Sequence, residues 1–273
     1  MVFKGGTSLA KAYNLTNRFS EDIDIAVIDA DTFSGHQLKM LIKRLAKDMA
    51  SDLEEIVVPT VTSKGSPFYK AVYQYQNLVG LTSSTVRSGQ LLIEINTYAN
   101  PYPDIKREIS SFLADYLVAV NHHDLIEEYD LKSLSINILD KRRTLIEKLV
   151  SLIRFSYEDD VIKALASKIR HFYDLYYLAN DSECAEYIQS ADFHKDLAEL
   201  IIHDQQEFDE PTGWQLKTID ESPLINDFPN LWKNLASTYR SELTPLAFSE
   251  IPNEGVVREM FERIIERIIE RIN

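Results

Sequence analysis

Cysteine is almost missing from this chain. Cys184 is the one thiol in 273 residues, which excludes an intramolecular disulfide and a cysteine-rich metal cluster and fits a reducing compartment. Long apolar runs are missing too. No stretch reaches the roughly 18 residues of a membrane span, and the N-terminus has no basic region followed by an apolar segment, the mark of a secretory leader. The chain is therefore expected in the cytoplasm, with no membrane partner. Positive charge is scarce as well: the formal net charge is -14. That excludes a protein that coats nucleic acid indiscriminately, because such binding rests on phosphate neutralisation by lysine and arginine. One segment runs against the trend. Between Lys141 and His171 there are eight basic and four acidic residues, a local excess that suits an anionic ligand meeting one face.

What is present is enough for a sizeable core, with 45% hydrophobic and 26% charged residues arranged as one large or two smaller domains. Val2 and Phe3 read as the end of a strand, and Gly5-Gly6 permits a tight turn that a side chain would obstruct. Thr7 or Ser8 then caps a short helix through Leu9, Ala10 and Ala12 to Tyr13. A strand follows from Asp22 to Ile28, and an amphipathic helix from Gln37 to Ser51 carries Leu38, Leu41, Ile42, Leu45 and Met49 on one side. Phe68 to Tyr75 and Gln90 to Tyr98 are strand-like, rich in aromatic and β-branched residues, and are expected to neighbour the Asp22 strand. After Asn100-Pro101-Tyr102-Pro103 the patterns become longer and helical, at 140–155, 159–178 and 256–272. The last of these bears an Ile-rich stripe of packing character. The expectation is an α+β chain: a mixed sheet with flanking helices over residues 1–120, then a mostly helical region over 121–273.

The chemistry-bearing residues start at the glycine turn. Residues two apart on a strand project to the same face, so Asp22 and Asp24 stand together while Ile23, Ile25 and Val27 pack behind. Two adjacent carboxylates repel unless a cation lies between them, and magnesium suits the pair because it favours oxygen ligands and bridges carboxylates to substrate phosphates. The plainer reading is a strand end with solvated acids. Upstream, Gly5 and Gly6 expose backbone amides and Thr7 and Ser8 open a helix whose N-terminus attracts phosphate, although a capped turn of no chemical interest reads the same way. Glu94 lies amid aliphatic residues in Leu91-Leu92-Ile93-Glu94-Ile95, a costly place for an acid without a partner or metal. Three carboxylates on two strands beside a phosphate-holding turn compose a two-metal phosphoryl-transfer site. In the helical half, Lys148 lies at the edge of an apolar helix face, and Arg170 and Asp174 are spaced to pair along one helix.

These residues resemble the polymerase-β-like nucleotidyltransferase superfamily, whose signature is a Gly-Gly or Gly-Ser turn, then Asp-x-Asp, then a later acid. More narrowly, Phe3-Lys4-Gly5-Gly6-Thr7-Ser8-Leu9 with Arg18-Phe19-Ser20-Glu21-Asp22-Ile23-Asp24 is similar to the AbiEii/AbiGii toxin family. The resemblance covers roughly residues 2 to 180. It implies a polymerase-β-like core and a magnesium-dependent (or manganese-dependent) transfer of NMP from an NTP to an acceptor, RNA such as a tRNA end among the candidates. It also implies a bacterial toxin with a cognate antitoxin encoded nearby. By the same resemblance Asp22, Asp24 and Glu94 hold metal and act in catalysis with Lys148 and Asp174, while Lys4, Gly5, Gly6, Thr7, Ser8, Arg18, Ser20 and Arg170 bind the nucleotide. Gly6 and Ser8 would hold the triphosphate and Glu94 would activate the acceptor. The alternative is a module of the same fold that binds nucleotide or protein without turnover. Family members usually carry a helical segment ahead of the Phe-Lys-Gly-Gly strand, whereas this sequence begins almost at the turn: either the start is short or an N-terminal segment has been lost.

Overall fold

The computed structural model describes residues 1–20, 22–59, 61–65, 68–76, 89–97 and 102–270. Glu21, Tyr98, Asn100, Pro101 and Ile272, which the sequence reading used, lie outside the described residues. The chain forms two compact units: Met1–Asn14 with Ser20–Asp140, and Leu15–Phe19 with Lys141–Asn273. Among the described residues no helix is long and apolar enough to cross a membrane.

The first unit opens with β1 (Val2–Lys4), α1 (Gly5–Lys11), β2 (Asp22–Ala26) and α2 (Gly35–Met49). It continues with β3 (Glu54–Ile56), β4 (Ser63–Lys64), β5 (Phe68–Gln74), β6 (Gln90–Asn96) and β7 (Asp104–Ile109), then α3 (Phe112–Ala119), α4 (His123–Glu128) and β8 (Leu134–Leu139). The strands make one mixed sheet in the order β3-β5-β6-β2-β1-β8-β7, with β4 paired to β5. β2 runs parallel to β6 and antiparallel to β1, and β1 runs parallel to β8. Of the two strands expected beside β2, β6 is the neighbour and β5 lies one strand further out.

One face of the sheet is apolar by strict alternation. Phe3, Ile25, Ile95, Tyr69 and Ile138 pack there against Leu38, Ile42, Ala46 and Ala50. α2 presents this stripe because its start is fixed by a reciprocal cap: the Gln37 amide N–H donates to the Ser34 hydroxyl, and the Ser34 N–H donates to the Gln37 side chain. The opposite face receives the alternate residues, and these include Asp22, Asp24 and Glu94.

The second unit is helical, with α5 (Lys141–Phe155), α6 (Val161–Ala166), α7 (Ile169–Asn180), α8 (Ser182–Gln189) and α9 (Ala191–Glu207). α10 (Pro223–Asn226), α11 (Phe228–Leu243) and α12 (Glu254–Ile269) complete it. Its core is aromatic: the Phe172 ring stands 4.9 Å from Phe261, 5.2 Å from Trp232 and 5.9 Å from Phe228. The Ile-rich stripe of α12 is buried at Met260, Phe261, Ile264, Ile265 and Ile268, which makes it a packing helix. The strand-like segment Leu15–Phe19 belongs to this unit too, pairing through the Phe19 N–H to Leu246 O at 2.9 Å and the Phe248 N–H to Asn17 O at 3.0 Å.

Three expectations need correcting. The units divide after Asp140 and not at 120, because β8 inserts between β1 and β7 and so carries 121–140 into the sheet unit. The helix expected over 159–178 is two helices, α6 and α7. At the break the Ser167 hydroxyl donates to Ala164 O at 2.6 Å, the local bonding by which serine competes with helix continuation. α1 begins at Gly5, so Thr7 and Ser8 lie inside it and cap nothing.

Candidate active site

β1 ends at Lys4 and the chain turns at once into α1 through Gly5, whose φ is +76°, a region open to glycine. The glycine is required a second time by space. A Cβ on Gly5 would come 2.0 Å from the Asp24 carboxylate oxygen Oδ2, so the backbone of the turn lies directly on that acid. The Thr7 hydroxyl donates to Asp22 O at 2.6 Å and fixes the first turn of α1 to the start of β2. The Ser8 hydroxyl donates to Gly5 O at 2.9 Å and is fully buried. Gly6 is buried as well. Gly6 and Ser8, expected to hold triphosphate, therefore shape the turn, and the half-buried Lys4, Gly5 and Thr7 are the members at its surface.

The acids line up as the strand period requires. Asp22 and Asp24 share one face of β2, both half-buried. Asp24 is directly in register with Glu94 on the parallel neighbour β6, and Asp22 with Leu92. Side chains opposed in this way have Cβ atoms about 5 Å apart, and like charges so placed repel. The neighbour on the far side answers part of that repulsion: Lys70 on β5 is in register with Glu94 and its ammonium is ion-paired to Glu94 Oε1. Sequence reasoning did not single out Lys70. Its signal was present, a lysine inside the aromatic and aliphatic run Phe68-Tyr69-Lys70-Ala71-Val72, the same anomaly that marked Glu94.

Among the described residues no group of three or more His, Cys, Asp and Glu stands as a metal cage. Magnesium seldom needs one, since it takes one or two carboxylates and completes its octahedron with water and substrate phosphate. Asp22 and Asp24, hard oxygen donors on one strand face, fit that requirement. The expected third ligand, Glu94, is engaged by Lys70. Ser20 lies half-buried in the loop before β2.

A second group of expected residues gathers inside the helical unit. Asp174 on α7 is fully buried, and Lys148 on α5 and Arg18 are nearly so. Arg18 reaches the carboxylate in a bidentate fork, Nε to Oδ1 at 2.8 Å and Nη2 to Oδ2 at 2.7 Å, while Lys148 Nζ is 2.9 Å from Oδ2. The carboxylate expected to pair with Arg170 is thus taken up by Arg18 and Lys148. Burial alone would push the Asp174 carboxyl up; the charges and hydrogen bonds of Arg18 and Lys148 outweigh it and hold the group well below the usual carboxylate range. His171 stands among the same cations. Burial first, then Lys148 and Lys168, keep its imidazole neutral by lowering its pKa well below 6.5.

The basic excess between Lys141 and His171 does not make one exposed face. Lys141 is buried and bonded to Asp181 at 2.7 Å, Lys148 is buried on Asp174, and Arg154 lies 3.9 Å over the Phe208 ring. Of the eight, Arg142 and Lys163 are the exposed ones.

A family model described as Nucleotidyl transferase AbiEii toxin, Type IV TA system, matches residues 1–264, which include every candidate site residue. No curated protein matches the chain significantly. Among solved structures, the nucleotidyltransferase toxin MenT4 from Mycobacterium tuberculosis aligns over 98% of this chain and 75% of its own, at 13% identity and a TM-score of 0.49. An antigenic nucleotidyltransferase-like protein from Paracoccidioides brasiliensis aligns over 73% of this chain and 78% of its own, at 15% identity and a TM-score of 0.37.

Proposed function

The chain belongs to the AbiEii nucleotidyltransferase toxin family of type IV toxin–antitoxin systems, and from that premise we propose that it moves NMP from a magnesium-bound NTP to an RNA acceptor, releasing pyrophosphate. The observation that carries the reading is the register of the acids: Asp24 and Glu94 side by side on parallel strands, Asp22 two residues earlier on the same face, and the Gly5 turn lying on Asp24.

The roles follow from position. Asp22 and Asp24 hold the divalent ion, which when bound neutralises charge on the triphosphate and lowers the pKa of the acceptor hydroxyl. The surface members of the turn, Lys4, Gly5 and Thr7, meet the phosphates; the amides of a first helical turn have no acceptor within the helix and face outward. Glu94 takes the acceptor proton as its oxygen attacks the α-phosphorus, and the bond to the pyrophosphate oxygen breaks in line. Catalysis then rests on positioning and charge neutralisation, without a covalent enzyme intermediate. Asp174 has no oxygen to spare for such chemistry. It supports a positioning role, fixing Arg18 and Lys148.

RNA is favoured as acceptor by the family's character as a toxin. Charge does not argue for it, because the net charge is -14 and Lys141 and Lys148 of the basic segment are buried in ion pairs with Asp181 and Asp174. A type IV toxin family implies a cognate antitoxin. The test is incubation with magnesium, each of the four α-labelled NTPs and total bacterial RNA, with the Asp22→Ala/Asp24→Ala protein beside wild type. Label entering RNA with wild type alone is the expected result. Label in protein, or label that persists in the double variant, overturns the reading.

A further inference from the structure

Lys70 is a member of the acidic row to which neither sequence nor family resemblance assigned a role. Lys4 on β1 is in register with Asp24 on β2, Asp24 with Glu94 on β6, and Glu94 with Lys70 on β5. Residues opposed across a ladder point to the same face, so four neighbouring strands present Lys4, Asp24, Glu94 and Lys70 at one level. Two carboxylates are bracketed by two ammonium groups, all four half-buried. The Lys70 ammonium is committed to Glu94 Oε1, with the side chains 25% and 20% exposed.

Resting on the magnesium reading above, we propose that Lys70 is a built-in counter-ion with which a divalent cation competes for Glu94, and that an arriving nucleoside triphosphate resolves the competition by drawing the ammonium onto a phosphate oxygen. An ammonium on Glu94 opposes a divalent ion twice, by occupying a lone pair and by placing positive charge about one side chain away. Lysine suits the exchange because its charge sits on a flexible four-carbon stem, so the ammonium can swing while its Cα stays in the β5 ladder. A phosphate oxygen is a strong acceptor for it. Once Lys70 has moved, Glu94 is released toward the metal or the acceptor. Metal and nucleotide then strengthen each other's binding by the same factor, since the coupling is reciprocal. The bracketing lysines thereby keep the acidic row closed to stray divalent ions and open it to those that arrive with a triphosphate.

The experiment titrates the full chain with Mn2+, followed by the electron paramagnetic resonance of the free ion, without nucleotide and with α,β-methylene nucleoside triphosphates that do not react. Wild type, Lys70→Met, Lys70→Arg and Asp24→Asn are compared, with Lys70→Gln as the second neutral variant should Lys70→Met fold poorly. Without nucleotide the neutral variant is expected to bind Mn2+ roughly 3- to 10-fold tighter than wild type, the scale of a partly exposed ion pair. The gain in Mn2+ affinity on adding the triphosphate shrinks by a similar factor, and Lys70→Arg keeps the wild-type pattern. Unchanged or weaker Mn2+ binding by both neutral variants, with binding still lost in Asp24→Asn, overturns the proposal and leaves Lys70 a cross-strand brace while the magnesium reading stands. Mn2+ that binds wild type no better than Asp24→Asn overturns both.

Discussion

Asp174 carries a concentrated electrostatic load in the helical unit. Its carboxylate is fully buried and shared by Arg18 and Lys148, so removing it strands two cations with no compensating charge. Asp174→Asn is expected to cost about 3–5 kcal/mol in urea unfolding, the usual penalty for breaking a buried ion pair from one side; a loss under about 1 kcal/mol would mean that the cluster is already hydrated. The same cluster sets a pH dependence. His171 has a folded pKa below its ordinary 6.5, so the unfolded chain binds its proton first and stability falls as pH drops below that value, by up to about 1.4 kcal/mol per unit. Asp174, also depressed, keeps its contribution until pH falls below the ordinary 3.8. His171→Gln is expected to flatten the slope of unfolding free energy between about pH 5 and 6.5; a slope equal to wild type would show that another group titrates there. Lys148 and Asp174 were legible as residues of interest. The fork from Arg18 to Asp174 was not, because Arg18 is 156 residues from Asp174 and no local spacing announces a contact of that range.

At the scale of elements, the turn from β1 into α1 lies directly against one of the acids. Gly5 combines a positive φ with direct contact between its backbone and Asp24. Gly5→Ala is strained on both counts and is expected to lower stability by about 1–3 kcal/mol and to cut nucleotide transfer well beyond what that loss explains, since Asp24 must shift to admit the methyl. Transfer at the wild-type rate would remove the turn from the site. The glycine turn and β2, β5 and β6 were legible because period-two alternation and the flanking breakers mark them directly. β8 was not recognised, although Leu134-Ser135-Ile136-Asn137-Ile138-Leu139 alternates; it lies beyond the point where composition turns helical, and its partner β1 is more than a hundred residues away. The length of α1 was misjudged because Thr7 and Ser8 look like caps, whereas their hydroxyls bond to Asp22 O and Gly5 O.

For the whole molecule, the sequence order and the compact units disagree in one instructive place. Five of the residues between the glycine turn and the Asp-x-Asp strand, Leu15–Phe19, belong to the helical unit, so the stretch read as one continuous signature is divided between the two units. Charge tells the same lesson. The +4 segment looked like a surface for an anion, but Lys141 and Lys148 are buried on Asp181 and Asp174, which is where a linear count of charges stops being a guide. What the whole chain is for rests on the acidic row. The most direct measurement is magnesium-dependent pyrophosphate release by wild type and Glu94→Gln at equal nucleotide occupancy in the presence of the proposed RNA acceptor. The expected result is triphosphate binding within about threefold of wild type and release lowered roughly 100-fold or more, the contribution of a lost general base. Release within about tenfold of wild type at equal occupancy would contradict the account, because Glu94 would then have no part in the chemistry.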